Sequence, residues 1–136
     1  GSSVFEGIRA YDTANGPAIF RLTDHMKRLF DSAKIYRMEI PFSLEELNQA
    51  CKEAVKQNGF SDAYLRPFAF LGHVGLGLNP KSHLADVPVA AMEWGAYLGE
   101  DSLAQGVAVC ISSWNRLAPN TMPTAAKAGG NYLSSQ

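Results

Sequence analysis

Apolar and polar positions in the first third of the chain predict a β-hairpin. Residues 4–11 and 18–22 are short runs rich in β-favouring residues. Residues 12–17 separate them and include the turn-forming pair Asn15-Gly16. We therefore expect two antiparallel strands joined by this turn.

Two later segments have apolar residues at every third or fourth position, which is typical of amphipathic helices. The first has Thr23 as its candidate N-cap and carries its apolar face at Met26, Leu29, Phe30 and Ala33. The second begins with a capping box between Ser43 and Glu46 and closes at residues 58–59. Its apolar face consists of Leu44, Leu47, Cys51, Ala54 and Val55. We expect both helices to pack on one sheet.

Three further strands are predicted after the helices, at residues 63–71, 87–92 and 107–112. Pro67 favours an edge position or a bulge for the first of them. The element order is then two strands, two helices and three strands. This order predicts an α+β fold with two layers.

Composition limits the partners of the chain. Its 136 residues are 46% apolar, which is enough for one domain with a sizeable core. Lys+Arg number 12 and Asp+Glu 13, so there is no broad basic field for nucleic acid or for an anionic membrane. Small molecules are the expected partners. Cys51 and Cys110 fall in apolar runs and are predicted to be buried, reduced thiols, as in a cytoplasmic protein.

A lysine near the C-terminal end is a candidate for covalent chemistry. Lys127 lies within residues 123–132 (PTAAKAGGNY), where small residues flank it on both sides. A flat ligand can approach such an amine closely, and the two glycines let backbone approach it as well. Neighbours alone do not decide the role, because most lysines are solvated surface charges.

Two arginines are candidates for anion binding. Arg28 lies four residues after Asp24 on the first predicted helix, so it either forms an ion pair on the helix surface or binds an anion. Arg66 shares a strand face with Tyr64 under two-residue periodicity. An arginine there can simply cover the sheet, or its guanidinium can bind a ligand carboxylate in a partly apolar pocket.

Other catalytic motifs do not match the sequence. The glycines at 75–77 lack the third glycine of a dinucleotide fingerprint, and no P-loop lysine follows them. His25, His73 and His83 lack metal-ligand spacing, so no metal site is predicted.

Several segments, in chain order, carry a resemblance to a known family. They are residues 3–11 (SVFEGIRAY), 25–29 (HMKRL), 32–36 (SAKIY), 64–67 (YLRP), 94–99 (WGAYLG), 113–116 (SWNR) and 129–132 (GGNY). Together they closely resemble bacterial branched-chain amino acid aminotransferases, which are fold-type IV pyridoxal-phosphate enzymes. The resemblance implies transfer of the amino group of leucine, isoleucine or valine to 2-oxoglutarate.

The resemblance also implies roles for individual residues. Lys127 would bond covalently to pyridoxal 5′-phosphate and move a proton during the reaction, and Arg28 would hold the cofactor phosphate. Tyr132 would hydrogen-bond the 3′ oxygen of the cofactor. Arg66 would receive the distal carboxylate of glutamate or 2-oxoglutarate. The remaining substrate-binding residues would be Phe5, Gly7, Tyr64, Leu78, Trp94 and Tyr97.

The same resemblance predicts how the chain is organised. Residues 1–112 would form the small N-terminal domain, and residues 113–136 the interdomain linker and the start of a large cofactor-binding domain. The loop that holds Leu78 would reach the site of a neighbouring subunit, which implies a homodimer. The chain has no initiator Met, and the acidic partner of the cofactor's pyridine nitrogen is expected beyond Gln136. We therefore expect a fragment that is poorly active or inactive by itself.

Alternatives remain open at this stage. A D-amino acid aminotransferase or an aminodeoxychorismate lyase would share the fold, the cofactor and the lysine. The residues after Lys127 and the strand that carries Arg66 favour the branched-chain enzyme. A non-catalytic fragment that retains only a dimerisation surface is the alternative from a different class.

Overall fold

A computed structural model of the chain describes residues 2–72, 84–94 and 100–135. Its elements are β1 (Ser3–Phe5), β2 (Ile8–Tyr11), β3 (Ala18–Ile19), α1 (Leu22–Ile35), α2 (Leu44–Gln57), β4 (Ala63–Phe70), β5 (Val89–Met92), α3 (Glu100–Gln105) and a 3₁₀ helix (Gly129–Ser135). The two long helices pack together against one antiparallel sheet. The α+β prediction with two layers is confirmed.

The sheet is built around β4, which pairs with β1 and β2 on one side and with β5 on the other. The predicted edge or bulge at Pro67 is therefore wrong, because β1 and β2 keep the same register against β4. The N–H of Glu6 donates to the carbonyl of Pro67 at 2.9 Å, but Pro67 has no N–H to return. The N–H that Pro67 lacks would face residues 6–7. At these two residues the strand predicted over residues 4–11 is interrupted, and it forms β1 and β2 instead.

Alternation along the strands sends one set of side chains toward the helices. Residues of β4 alternate between buried and half-buried, and Leu65 is fully buried among them. The predicted helix faces supply the other side of the core, including Met26, Leu29 and Cys51. Each large apolar side chain buried here contributes roughly 1.5–3 kcal/mol. Burial also raises the pKa of the Cys51 thiol to about 11, so this thiol stays neutral.

The two long helices begin in different ways. The capping box of α2 is confirmed: Glu46 N–H donates to Ser43 Oγ at 3.2 Å, and Ser43 N–H donates to Glu46 Oε2 at 2.7 Å. Thr23 does not cap α1. That helix begins after Arg21, which adopts a left-handed conformation with φ of 49°. The Thr23 hydroxyl instead accepts a hydrogen bond from Asn48 of α2, which joins the two helices.

The hairpin prediction is confirmed, although its second strand is shorter than expected. β2 pairs with β3 around the predicted turn, and Gly16 takes a φ of 93° that favours glycine. Leu22, predicted as the end of the strand, already belongs to α1. Three short strands therefore precede the first helix, and the tight turn joins the second to the third.

The strand predicted at residues 107–112 is wrong. This segment is irregular, and Ile111 is fully exposed. Cys110 is exposed as well, so its predicted burial is also wrong. An apolar run becomes a strand only when a neighbouring strand accepts its hydrogen bonds, and no strand of the described residues pairs with it.

In the described part of the chain, no helix has the length and apolar character that a membrane crossing requires.

Candidate functional site

The face of the sheet that lies away from the helices carries most of the predicted site residues that the structure describes. A cavity of about 810 Å³ opens on this face. Its lining includes Phe5, Tyr64, Arg66, Trp94, Lys127 and Tyr132. The strands supply the first three of these because strand residues two positions apart point to the same face. The fold therefore brings together residues from four separate segments of the sequence.

The Lys127 segment lies along the outer edge of β1. The N–H of Phe5 donates to the carbonyl of Lys127 at 3.0 Å, and the N–H of Lys127 donates to Ser32 Oγ of α1 at 3.0 Å. Ala126 and Ala128 on either side are buried in the core. Small neighbours are thus needed to let the backbone enter the core while the lysine side chain points outward.

Gly129 permits the close contact between this segment and β1. A Cβ atom at Gly129 would lie 2.6 Å from Ser3 Oγ, which is too close for real atoms. Gly130 is not constrained in this way, because the nearest atom to its Cβ would be the methyl group of Met122 at 3.7 Å. Of the two glycines in the motif, the first is the crowded one, since a side chain there would require the Ser3 hydroxyl to move.

The Lys127 amine lies among aromatic groups. Its Nζ donates a hydrogen bond to Tyr132 Oη at 2.7 Å. The same Nζ is 4.6 Å from the centre of the Phe5 ring and 5.0 Å from that of Tyr132. The amine is therefore oriented by a phenol and two ring faces.

A second cavity of about 430 Å³ adjoins the same lysine. Its lining includes Arg28, Arg116, Thr124, Asn131 and again Lys127 and Tyr132. Two guanidinium groups make this cavity suited to an anion. Lys127 and Tyr132 thus lie between a cationic cavity and an aromatic one.

Arg28 is held by a carboxylate from the sheet. Its Nε and Nη2 donate to the two oxygens of Glu6 at 2.6 Å each, and His25 Nδ1 lies 2.9 Å from the same carboxylate. Glu6 is completely buried. The hydrogen bonds that Arg28 donates to Glu6 raise the pKa of Arg28 above its already high ordinary value, so the guanidinium is always charged.

The predicted alternative for Arg28, an ion pair with Asp24 on the helix surface, is wrong. Asp24 pairs with Arg21 at 2.8 Å instead. Sequence reasoning assigned no role to Glu6. The available signal was an acidic residue inside a β-favouring run, where a charge is costly unless it is paired.

Arg66 is held by aromatic residues. Its Nε and Nη2 both donate to Tyr64 Oη, at 3.0 and 2.6 Å, and its guanidinium carbon lies 4.5 Å from the centre of the Phe5 ring. Tyr64 in turn stacks on Trp94 with a centroid distance of 4.4 Å. Among the described residues, no carboxylate forms an ion pair with Arg66.

Gly7 contributes space to the site. A Cβ atom at Gly7 would overlap Tyr64 Oη, so any larger residue would displace the hydroxyl that holds Arg66. Two other predicted pocket residues, Leu78 and Tyr97, lie outside the described residues. In the described parts, no group of three His, Cys, Asp or Glu side chains is arranged to hold a metal ion.

The chain has close relatives among known proteins. Residues 3–135 match the model of the class IV aminotransferase family. The branched-chain-amino-acid aminotransferase of Escherichia coli (strain K12) is 57% identical over 136 residues, which are 99% of this chain and 44% of that relative. The resemblance to branched-chain aminotransferases is therefore confirmed.

Solved structures agree with this match. A crystal structure of the E. coli branched-chain aminotransferase superposes with a TM-score of 0.93 at 56% identity, covering 98% of this chain and 44% of that one. The branched-chain aminotransferase of the archaeon Thermoproteus uzoniensis, solved with norvaline, gives a TM-score of 0.88 at 42% identity over 98% and 44% of the two chains. That of Thermobaculum terrenum, solved in its PLP form, gives 0.82 at 29% identity over the same shares. The chain thus spans less than half the length of these relatives.

Proposed function

This chain belongs to the class IV aminotransferase family, and we propose that it forms the N-terminal part of a pyridoxal-phosphate-dependent branched-chain amino acid aminotransferase. The reaction would move the amino group of leucine, isoleucine or valine to 2-oxoglutarate. The observation that carries this proposal is the position of Lys127 between an arginine-lined cavity and an aromatic cavity that contains Arg66.

The residues around Lys127 fit a flat cofactor that bears an aldehyde and a phosphate. When bound, pyridoxal phosphate supplies an electron sink that stabilises negative charge on the substrate's α carbon. Lys127 would hold the cofactor covalently through its amine. Glu6 occupies Nε and Nη2 of Arg28 but leaves Nη1 for a phosphate oxygen. Arg116 supplies a second guanidinium in the same cavity.

Lys127 would also carry the proton. When its amine is not bonded to the cofactor, Lys127 would accept the proton from the substrate's α carbon. Tyr132 Oη, 2.7 Å from this amine, orients it and would hydrogen-bond the 3′ oxygen of the cofactor. One lysine therefore performs covalent and acid–base work.

The aromatic cavity offers two kinds of contact to a substrate side chain. Phe5, Tyr64 and Trp94 form apolar walls that suit a branched aliphatic chain. Arg66 lies beside these walls without an ion-pair partner among the described residues, and it would bind the distal carboxylate of glutamate or 2-oxoglutarate. Gly7 keeps room for the Tyr64 hydroxyl. Leu78 and Tyr97 complete the pocket in this proposal.

The organisation of the whole protein is part of the same proposal. Residues 1–112 form the small domain, and residues 113–136 lead into a larger one that would supply the acidic partner of the pyridine nitrogen. The loop of Leu78 would reach a neighbouring subunit in a cytoplasmic homodimer. The match to less than half of each relative supports the need for further chain.

The test uses the protein extended to the length of its relatives. Purified with pyridoxal phosphate, it should absorb visible light and transfer the amino group of leucine to 2-oxoglutarate. Lys127→Ala should abolish covalent attachment and lower the transfer rate by about 10⁴-fold or more. Lys34→Ala, a lysine of α1 that lines neither cavity, is the matched control and should change little.

Two results would contradict the proposal. Unchanged transfer by Lys127→Ala would remove the lysine from the mechanism. Activity with D-alanine but none with leucine would point to a D-amino acid aminotransferase instead. Light scattering on the same preparation would report whether the protein is a dimer.

A further inference from the structure

The peptide group that precedes Lys127 has both of its polar atoms bound by side chains. The carbonyl of Ala126 accepts from Asn131 Nδ2 at 3.0 Å, and the N–H of Lys127 donates to Ser32 Oγ at 3.0 Å. Ser32 and Asn131 are themselves 1% and 7% exposed. These two bonds therefore fix the plane of this peptide inside the protein.

Ser32 connects the lysine to the arginine of the other cavity. It lies on α1 four residues after Arg28, which places the two side chains one turn apart on the same side of the helix. Arg28 is fixed by Glu6, and Lys127 is fixed by Ser32. A single rigid helix thus sets the spacing between the guanidinium and the reacting lysine.

We propose that Ser32 is a positioning residue. Its hydroxyl and the Asn131 amide fix the peptide group before Lys127, and this places the Lys127 amine where it reaches the cofactor aldehyde. This inference rests on the proposed function. Ser32 does not touch the cofactor in this account, since it acts only through the Lys127 backbone. Without its acceptor the peptide can rotate, and the long lysine side chain converts a small rotation into a displaced amine.

The first measurement does not need the cofactor. In the cofactor-free protein at full length, amide hydrogen exchange at Lys127 should be slow, because its N–H is bonded to a buried hydroxyl. In Ser32→Ala it should be at least about 10-fold faster, measured relative to amides of the β4 core. Rapid exchange at Lys127 in the parent protein would overturn the proposal.

The second measurement follows cofactor capture. Pyridoxal phosphate is added to the cofactor-free protein, samples are reduced with borohydride, and modification of Lys127 is counted by mass spectrometry. Ser32→Ala should slow capture by about 10-fold, and Asn131→Ala should slow it in the same direction. Cys51→Ala, which removes a similarly small buried side chain from α2, is the control and should capture at the parent rate.

The outcomes separate this inference from the proposed function. If the parent protein captures no cofactor, the proposed function fails, while the exchange measurement still reports whether Ser32 holds the peptide. If the parent captures cofactor and Ser32→Ala does so equally fast, the positioning role is wrong. An equal slowing in Ser32→Ala and Cys51→Ala would mean that lost stability, rather than lost orientation, explains the effect.

Discussion

Arg28 and Arg66 border the same lysine, but their surroundings differ in charge. Arg28 donates two hydrogen bonds to the fully buried carboxylate of Glu6. Arg66 donates two hydrogen bonds to the hydroxyl of Tyr64 and lies against the ring of Phe5. The charge of the Arg28 guanidinium is balanced by a buried carboxylate, whereas no carboxylate in the described part of the chain pairs with Arg66.

This difference matches the ligand that each arginine is proposed to bind. A cofactor phosphate stays in place through many turnovers, so a rigid and pre-oriented arginine suits it. In the proposed reaction, the substrate side chain alternates between an acid and an aliphatic group. An arginine among aromatic rings can attract the carboxylate, and the same rings then contact the aliphatic chain. The predictions below test this division of roles, beginning with the largest expected effect.

Removal of Arg66 should separate the two half-reactions. Arg66→Ala should reduce the specificity constant for glutamate by about 30-fold to several hundred-fold, which corresponds to roughly 2–4 kcal/mol for a lost charge-assisted contact. The leucine half-reaction should change little because that substrate has no distal carboxylate. Single-turnover kinetics with each amino donor would measure the ratio.

Arg37→Ala provides the matched control for this experiment, since Arg37 lines neither of the two cavities. It should leave both half-reactions unchanged. An equal loss with both donors in Arg66→Ala would mean that Arg66 supports the sheet and does not select the substrate.

Removal of Arg28 should weaken cofactor binding and also destabilise the fold. A lost phosphate contact of about 1.5–3 kcal/mol lowers cofactor affinity by roughly 10-fold to 100-fold, and excess cofactor should partly restore activity. The variant Arg28→Ala also leaves Glu6 buried beside His25 alone. We expect a loss of about 1–3 kcal/mol in the free energy of unfolding, because the arginine side chain is partly exposed.

The double variant Glu6→Gln/Arg28→Ala distinguishes these two effects. It removes the unpaired buried charge, so it should regain part of the unfolding free energy without regaining cofactor affinity. Denaturant titrations and cofactor titrations of both variants would test this. Recovery of cofactor affinity in the double variant would show that Arg28 does not bind the phosphate.

Gly7→Ala should produce the smallest effect. It should change the reaction with glutamate, which depends on Arg66, and not cofactor binding. The new methyl group would displace the Tyr64 hydroxyl and with it the Arg66 guanidinium. The specificity constant for glutamate should therefore fall by about 3-fold to 10-fold. Cofactor affinity should stay at the parent value. Gly130→Ala is the matched control, because the space at Gly130 accepts a methyl group. Equal losses in the two variants would contradict the role given to Gly7.

Most of the regular structure follows from neighbouring residues and could be read from the sequence. The capping box at Ser43, the hairpin turn at Gly16 and the apolar faces of both helices depend on residues only a few positions apart. The same is true of the family motif around Lys127, which is continuous in the chain. Local periodicity and turn chemistry were therefore sufficient for these features.

The predictions that failed depend on partners that are distant in sequence. Pro67 lies in a central strand because its missing donor faces the break between β1 and β2, which no local pattern reveals. Residues 107–112 have a strand-like composition without a paired strand among the described residues. Thr23 has the right chemistry for an N-cap but bonds to α2 instead.

The sequence by itself identified the candidate residues for the chemistry, and the tertiary structure decided how they are held. Glu6 meets Arg28 across 22 positions, and Ser32 meets the Lys127 backbone across 95. Such contacts arise only when strand register and helix packing are complete, because a one-residue slip in a strand turns every side chain to the opposite face. Composition and spacing can name an arginine or a lysine, but its orienting partner exists only in the folded chain.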